Sequence, residues 1–370
     1  MTGSGLAPMT NRFRTLLEER GALLADGAIG TNLFAAGLQT GDAPELWNVE
    51  RPDDIEALHR AFVEAGSDIV LTNSFGGTRF RLALHEAGHR VAELNAAAAR
   101  LARKATESTD REVLVAGSMG PTGEILEPNG PVSVAAAAEA FAEQARALAD
   151  GGADLLWLET LSSAEEIEAG MRGALSCRLP VVCTVSLDTN GRTMMGLTAA
   201  DTAALLRRLG EETGAAETGA SLVAFGTNCG VGAAEVVAAI VNFGHAAASD
   251  EEDSPAALVA KANCGIPAWR DGRIVYDGTP ELMADYARLA LDAGARVVGG
   301  CCGTSAAHVA AMRAALDDHV AGAPPDAETI VARLGEISQG ARAQLGGDLS
   351  LAGGSASGRG GRVSRRRSRR

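Results

Sequence analysis

The sequence predicts a (β/α)8 TIM barrel. Three observations predict it. Short apolar runs alternate with longer, amphipathic, alanine-rich stretches; there are eight of each over about 300 residues; and the runs end in turns of Gly, Ser or Asn. A doubly wound open sheet would share the alternation, but the count favours the barrel.

The apolar runs are, in order, Ala22–Ala25, Asp68–Thr72, Val113–Ala116, Asp154–Leu158, Val181–Val185, Leu222–Phe225, Ala257–Ala260 and Ala295–Val298. Helices are predicted over Asp53–Ala65, Val91–Ala105, Ser133–Asp150, Ser163–Arg172, Ala200–Glu212, Ala233–Val241, Pro280–Asp292 and Ser305–Leu316. Local chemistry agrees. Pro52 followed by Asp53 and Asp54 opens a helix with a preset φ and two negative charges at the positive end of its dipole. Ser163 with Glu166 is a capping box, and Thr279-Pro280 sets an N-cap before a first-turn proline. Ala65-Gly66, Asp150-Gly151 and Ala293-Gly294 suit left-handed helix ends.

The barrel is expected over 12–320, followed by a helical extension over 321–345, with Asp326–Leu345 as a terminal helix. Gly346–Arg370 is Gly-, Ser- and Arg-rich and is expected to be a disordered tail. Ala215–Gly219 and Ala246–Ser254 are expected to be surface loops.

The 370 residues carry 33 basic and 47 acidic side chains, a net charge of −14. Seven of the arginines crowd the last twelve positions, so the rest of the chain is more acidic still. Such a body repels phosphate, which argues against nucleic-acid binding through the barrel and leaves only the tail for such a partner. No apolar stretch is long enough to span a membrane, and Met1–Thr10 carries no secretory signal, so a cytoplasmic protein is expected. Six cysteines are too few for a disulfide scaffold and read as buried thiols, nucleophiles or metal ligands.

Active sites of such barrels lie at the strand C-terminal ends. There the first strand runs into Asp26-Gly27-Ala28-Ile29-Gly30-Thr31, the second into Thr72-Asn73-Ser74-Phe75, and the third into Gly117-Ser118-Met119-Gly120-Pro121-Thr122. The fourth ends in Glu159-Thr160. A Glu closing an apolar strand is costly unless paired or facing a wet cavity, which marks Glu159 as functional. Asp26 could hold a substrate ammonium or simply cap a helix.

The sixth strand ends in Asn228-Cys229-Gly230 and the eighth in Gly299-Gly300-Cys301-Cys302-Gly303-Thr304. Three thiols thus converge on one face. They suit a zinc site with an open fourth position; buried free thiols and a redox pair are the other readings. Cys264, in Asn263-Cys264-Gly265, is an alternative ligand, whereas Cys177 and Cys183 read as structural. A zinc-bound thiol is deprotonated outright, so an amino thiol entering the open position would be held as a nucleophile while Asp26 and Glu159 take its ammonium. The histidines sit away from the predicted strand ends and read as helix or surface residues.

Together these elements resemble the homocysteine S-methyltransferase family over about residues 12–320, most specifically through Asn228-Cys229 and the Gly-Gly-Cys-Cys-Gly element. The resemblance implies a Zn2+ barrel that methylates homocysteine to methionine. It implies Cys229, Cys301 and Cys302 as metal ligands and as the catalytic centre acting through zinc. Asp26, Gly27, Glu159, Thr72, Phe75 and Asn228 are the expected substrate-binding residues. Cys264 matches no family ligand.

For the methyl donor, glycine betaine leads, because bacterial chains that begin this way look most like the betaine-using branch. Its quaternary ammonium wants aromatic faces, for which Trp47, Phe75, Phe80 and Trp157 are candidates, although core packing is the other reading of all four. Gly76 and Thr160 stand where animal betaine enzymes carry tyrosines, and Thr72-Asn73-Ser74-Phe75 looks more like the methionine synthase module. A chain of this length is not expected to have room for folate- and corrinoid-binding domains, so a cobalamin donor would ride on a separate protein. The alternatives are the homocysteine-activating subunit of a split cobalamin-dependent methionine synthase, an S-methylmethionine-dependent enzyme, and, outside catalysis, a zinc-thiolate redox sensor. A homo-oligomer is expected by analogy.

Overall fold

The computed structural model describes residues 11–187, 190–212, 220–248, 256–270 and 273–348. Its strands are β1 (Leu23–Leu24), β2 (Ile69–Leu71), β3 (Leu114–Met119), β4 (Leu155–Leu161), β5 (Val181–Val185), β6 (Leu222–Cys229), β7 (Ala257–Ala262), β8 (Ala268–Arg270), β9 (Arg273–Val275) and β10 (Ala295–Gly300). All except β8 and β9 belong to one parallel sheet in the order β1-β10-β7-β6-β5-β4-β3-β2. A bridge between Ala25 and Ile69 joins its two edges, giving a (β/α)8 barrel. Every predicted run is a strand, and every predicted helical stretch is a helix.

Several strands run further than their apolar residues. β3 continues to Met119, β4 to Leu161, β6 to Cys229 and β10 to Gly300, so the polar turns read from the sequence are partly the last rungs of the ladder itself. The expected terminal helix is two, Ala327–Leu334 and Gln339–Leu345, separated at Gly335, whose φ of 103° ends the first. The expected loop at Ala246–Ser254 is also corrected, because the helix that begins at Ala233 runs on to Ala248. The remainder of that loop, Ala215–Gly219 and positions 349–370 of the expected tail lie outside the described residues.

Several elements were not anticipated: the β8–β9 antiparallel hairpin between β7 and β10, the short helices Gly30–Ala35, Trp47–Glu50 and Arg79–Ala83, and the helix Arg12–Arg20 before β1. The helix places Phe13, Leu16 and Leu17 against the barrel interior, in a cluster with Leu23, Ile69, Leu114, Leu155, Trp157, Val182, Val259 and Val297, and so plugs the N-terminal end. Side chains of opposite parity (Leu24, Val70, Val115, Leu156, Leu158, Cys183, Val298) pack outward on the helices. Period-two alternation then carries the inner face upward from apolar layers into Ser118, Glu159, Thr184, Asn228 and Lys261.

Buried Asp68 and partly buried Asp154 brace the bottom. Asp68 Oδ2 accepts the Leu24 N–H at 2.8 Å, and its carboxylate meets Arg20, Arg313 (3.1 Å) and Arg111 (3.6 Å). Asp154 Oδ2 accepts the Val115 N–H at 2.8 Å and meets Arg12 and Arg103. Among the described residues, no helix is long and apolar enough to cross a membrane.

Candidate metal and substrate site

Two turns bring the cysteines together. At the end of β6, Cys229 adopts φ 65°, a left-handed conformation rare for a residue with a side chain. At the end of β10, Cys301 N–H donates to the Ala262 carbonyl at 2.6 Å and Cys302 N–H to Asn263 Oδ1 at 3.0 Å. Asn263 Nδ2 donates to the Gly230 carbonyl at 2.6 Å, so one amide side chain bridges the two cysteine turns.

The sulfurs of Cys229, Cys301 and Cys302 all lie within 4.8 Å of one another, and Cys229 and Cys302 are 4.0 Å apart. Three thiolates around a tetrahedral zinc, with Zn–S near 2.3 Å, would sit about 3.8 Å apart. The cluster therefore fits zinc with small adjustment, and all three residues line the same cavity, where a fourth ligand could enter. Hydrogen bonding from Cys229 and Cys301 lowers the Cys302 thiol to about 3, while the bonds with Cys301 and Cys302 push Cys229 far above the usual thiol range. Tyr276 also helps to lower Cys302. Cys264 is apart from the cluster. Its Sγ donates to the Gly278 carbonyl at 3.1 Å, and its N–H to the Cys302 carbonyl at 2.8 Å. Buried Cys183, pushed up to about 12 by desolvation, and half-buried Cys177 also lie outside it.

Glu159 is buried on the inner face of β4 and lines the cavity. Its Oε1 accepts from Ser118 Oγ at 2.5 Å. Desolvation raises its pKa; Lys261 opposes this and Cys301 adds to it. The next residue, Thr160, has φ 63°. Asn228 Oδ1 accepts the Thr160 N–H at 2.9 Å and the Thr184 hydroxyl at 2.7 Å, while its Nδ2 donates to Thr160 Oγ1 at 2.8 Å. Asn228 therefore joins two strained strand ends and stands behind the cavity wall rather than in it.

Asp26 also stands behind that wall. Its Oδ2 accepts the Leu71 N–H at 2.8 Å, and its Oδ1 lies 3.5 Å from Lys261 Nζ. Desolvation raises its pKa to about 7 despite Lys261 and the Leu71 bond. Burial works against the Lys261 ammonium, but Asp26, Cys301 and Glu159 outweigh it and push it up to about 12.

The cavity holds about 370 Å³. Of the sequence-predicted residues, Gly27, Thr72, Phe75, Glu159, Cys229, Cys301 and Cys302 line it. Thr72 Oγ1 is spent on the Ser74 hydroxyl (2.5 Å) and the Ser118 N–H (2.9 Å). Gly27 is required by close approach, because a Cβ there would fall 2.7 Å from both the Thr304 carbonyl and the Phe62 ring. The aromatic candidates separate. Phe75 faces the cavity at 39 % exposure, joined by Phe34 from the helix Gly30–Ala35. Trp157 is wholly buried, with Nε1 donating to Thr184 Oγ1 at 3.2 Å, and Trp47 is buried beneath the Arg51 guanidinium. Phe80 does not line the cavity. Core packing accounts for the two tryptophans.

Lys261, Ser118, Glu45, Arg81 and His85 also line the cavity and were not singled out from the sequence. Lys261 had a signal: it is a lone charge in the otherwise apolar run Ala257–Ala262. Glu45, Arg81 and His85 lie on connections whose path no local pattern specifies.

Comparison with known proteins places this geometry. A family model described as homocysteine S-methyltransferase matches residues 23–316. Methionine synthase of Mycobacterium tuberculosis is 31 % identical over 320 residues, covering 81 % of this chain and 25 % of that protein. The Mycobacterium leprae methionine synthase is 28 % identical over 323 residues, covering 83 % and 25 %. The chain thus spans about a quarter of the length of these curated relatives. Among solved structures, the metallated homocysteine methyltransferase MmuM from Escherichia coli superimposes with a TM-score of 0.66 at 29 % identity, covering 82 % of this chain and 99 % of that one. Since the family match runs from β1 through the helix Ala306–Asp317 and takes in both cysteine turns, the chain belongs to the homocysteine S-methyltransferase family.

Proposed function

We propose that this chain transfers a methyl group to the thiolate of L-homocysteine, giving methionine, with glycine betaine as donor and dimethylglycine as the other product. The observation that carries the reading is the meeting of three cysteine sulfurs and the buried carboxylate of Glu159 in one cavity at the strand C-terminal ends. An amino thiol needs a place for each end, and these residues offer both.

Cys229, Cys301 and Cys302 would hold Zn2+. Bound there, the ion supplies the Lewis acidity that keeps a substrate thiol ionised at neutral pH. The protein's own groups do the rest. Glu159, oriented by Ser118, accepts the substrate ammonium. The turn from Gly27 offers backbone amides to its carboxylate, and Asp26 acts through Lys261 rather than on the substrate. In the transfer, a sulfur–carbon bond forms as the donor's carbon–nitrogen bond breaks, and the electron pair leaves on the amine nitrogen. Holding the two reactants in line is the main contribution of the cavity.

The likeness to methionine synthases supports a second reading, in which the chain is the homocysteine-activating part of a cobalamin-dependent system. An assay separates the two. Zinc-loaded protein is mixed with homocysteine and, in parallel, glycine betaine, S-methylmethionine or methylcobalamin, and methionine is read out. Methionine from betaine is expected; methionine from methylcobalamin alone would overturn the donor assignment.

A further inference from the structure

We propose that Lys261 binds the α-carboxylate of the thiol substrate and so makes the cavity select an amino acid thiol over a simple amino thiol. The inference rests on the homocysteine methylation proposed above and deepens it by assigning a specificity-determining side chain.

A lysine is out of place in the apolar strand β7 unless something anionic meets it. Lys261 shares the inward parity of Val259, so its side chain enters the barrel above the apolar layers. It is 3 % exposed and still lines the cavity. Asp26 is its one ion-pair partner among the described residues. That contact is loose: 3.5 Å separates Nζ from Asp26 Oδ1, which is long for a hydrogen bond, and Oδ1 is buried without a hydrogen-bond partner. Asp26 is itself fixed by the Leu71 N–H on Oδ2 and stands outside the cavity lining, so it holds the lysine from behind. An ammonium carries three donors, and the contact from behind leaves donor capacity for an anion within the cavity.

The same cavity holds a carboxylate of the opposite sense. Glu159 lines it, with Oε1 oriented by Ser118 Oγ at 2.5 Å. Burial opposes the charge on Lys261, while Asp26, Cys301 and Glu159 favour it, so these groups share one electrostatic neighbourhood. An α-amino acid carries its ammonium and its carboxylate on one carbon. Glu159 suits the first and Lys261 the second, through charge-assisted hydrogen bonds. Lys261 thereby supplies the charge that backbone amides at the Gly27 turn lack. With the thiol at the cysteine cluster, three groups of one molecule meet three features of one chamber. An amino thiol without a carboxylate leaves Lys261 unmatched, and a mercapto acid without an ammonium leaves Glu159 unmatched. A site built to pair a polar group discriminates against the analogue that lacks it, because its own buried partner is then stranded.

The test uses the zinc-loaded full chain and two thiols, L-homocysteine and 3-aminopropanethiol. The second keeps the thiol and the ammonium at the same spacing and lacks only the carboxylate. Calorimetry follows the binding of each to wild type, Lys261→Met, Lys261→Arg, and Lys261→Met combined with Asp26→Asn. Zinc content and melting temperature are recorded for every variant. We expect Lys261→Met to weaken homocysteine by about tenfold or more while 3-aminopropanethiol binds as it does to wild type. Lys261→Arg keeps the charge and should recover part of the loss. The double variant removes both buried charges, so it separates the missing carboxylate contact from damage by a stranded Asp26, and it should show the same selective loss. Unaltered homocysteine binding in the folded, zinc-loaded double variant, or equal losses for the two thiols, would overturn the assignment while leaving homocysteine methylation standing. A wild-type protein that binds neither thiol would overturn both.

Discussion

Lys261 Nζ lies 3.5 Å from Asp26 Oδ1, with 4 % and 0 % of the two side chains exposed. This pair alters how the two acids expected at the mouth are used. Asp26 is committed to a cation supplied by β7, which leaves Glu159 as the carboxylate presented to the cavity beside the cysteines. Removing one partner of a buried pair costs more than forming the pair contributes, so Lys261→Met should damage the fold more than the loss of a surface lysine would.

Asp26 also makes stability depend on pH. Its folded pKa is raised from 3.8 to about 7, so between those values the folded state holds a proton that the unfolded state has released. Stability therefore falls as pH rises through that window. Asp26→Asn removes the effect. Denaturant unfolding at a series of pH values should show the difference between variant and wild type tilting toward the variant from about pH 4 to about pH 7, then levelling. A difference that is flat across the window would contradict the assignment.

The metal and substrate functions should separate by mutation. Cys302→Ala should lose bound zinc and methyl transfer together. Glu159→Ala should retain zinc while weakening homocysteine by about tenfold or more, in line with a lost charge-assisted hydrogen bond. Metal content by mass spectrometry and homocysteine binding by calorimetry read the two separately. Stoichiometric zinc in Cys302→Ala would refute the ligand set.

Asn263 touches no substrate in this scheme, yet it spans Gly230 and Cys302. Asn263→Ala should lower zinc affinity by about 10- to 100-fold, the usual effect of removing a group that orients metal ligands, with little change in melting temperature of the metal-free protein. Competition with a chelator measures it.

At the opposite end of the barrel, Asp68 ties β1 to three arginines. Asp68→Ala leaves a buried N–H and unmatched guanidinium groups, and should cost about 3 kcal/mol in urea unfolding without altering zinc content.

The parts of the fold visible in the sequence were those written as periodicity. Trp157 and Glu159 share a face because they are two residues apart, and the same parity puts Lys261 above Val259 and Ser118 above Ala116. Strand ends were read too early wherever polarity replaced apolarity, because the hydrogen-bond ladder continues through Glu159 and Asn228 while the hydropathy signal stops. The cysteine cluster was legible because its residue types are rare and flanked by glycine. The Lys261–Asp26 pair was not, since β7 and the end of β1 lie far apart in sequence and meet only across β10. Arg81 and Glu45 were invisible for a similar reason.

That closure has a kinetic consequence. With Phe13, Leu16 and Leu17 stoppering the base, the described residues close the barrel from below and the cavity lies at its other end. The cysteines stand at the inner wall, and Phe34 and Phe75, 49 % and 39 % exposed, stand at the threshold. Whatever occupies the threshold bars traffic to the floor. In the proposed reaction the thiol substrate would therefore enter before the methyl donor, and the demethylated donor would depart before methionine. Such a queue yields ordered sequential kinetics, with a donor analogue trapping the thiol beneath it.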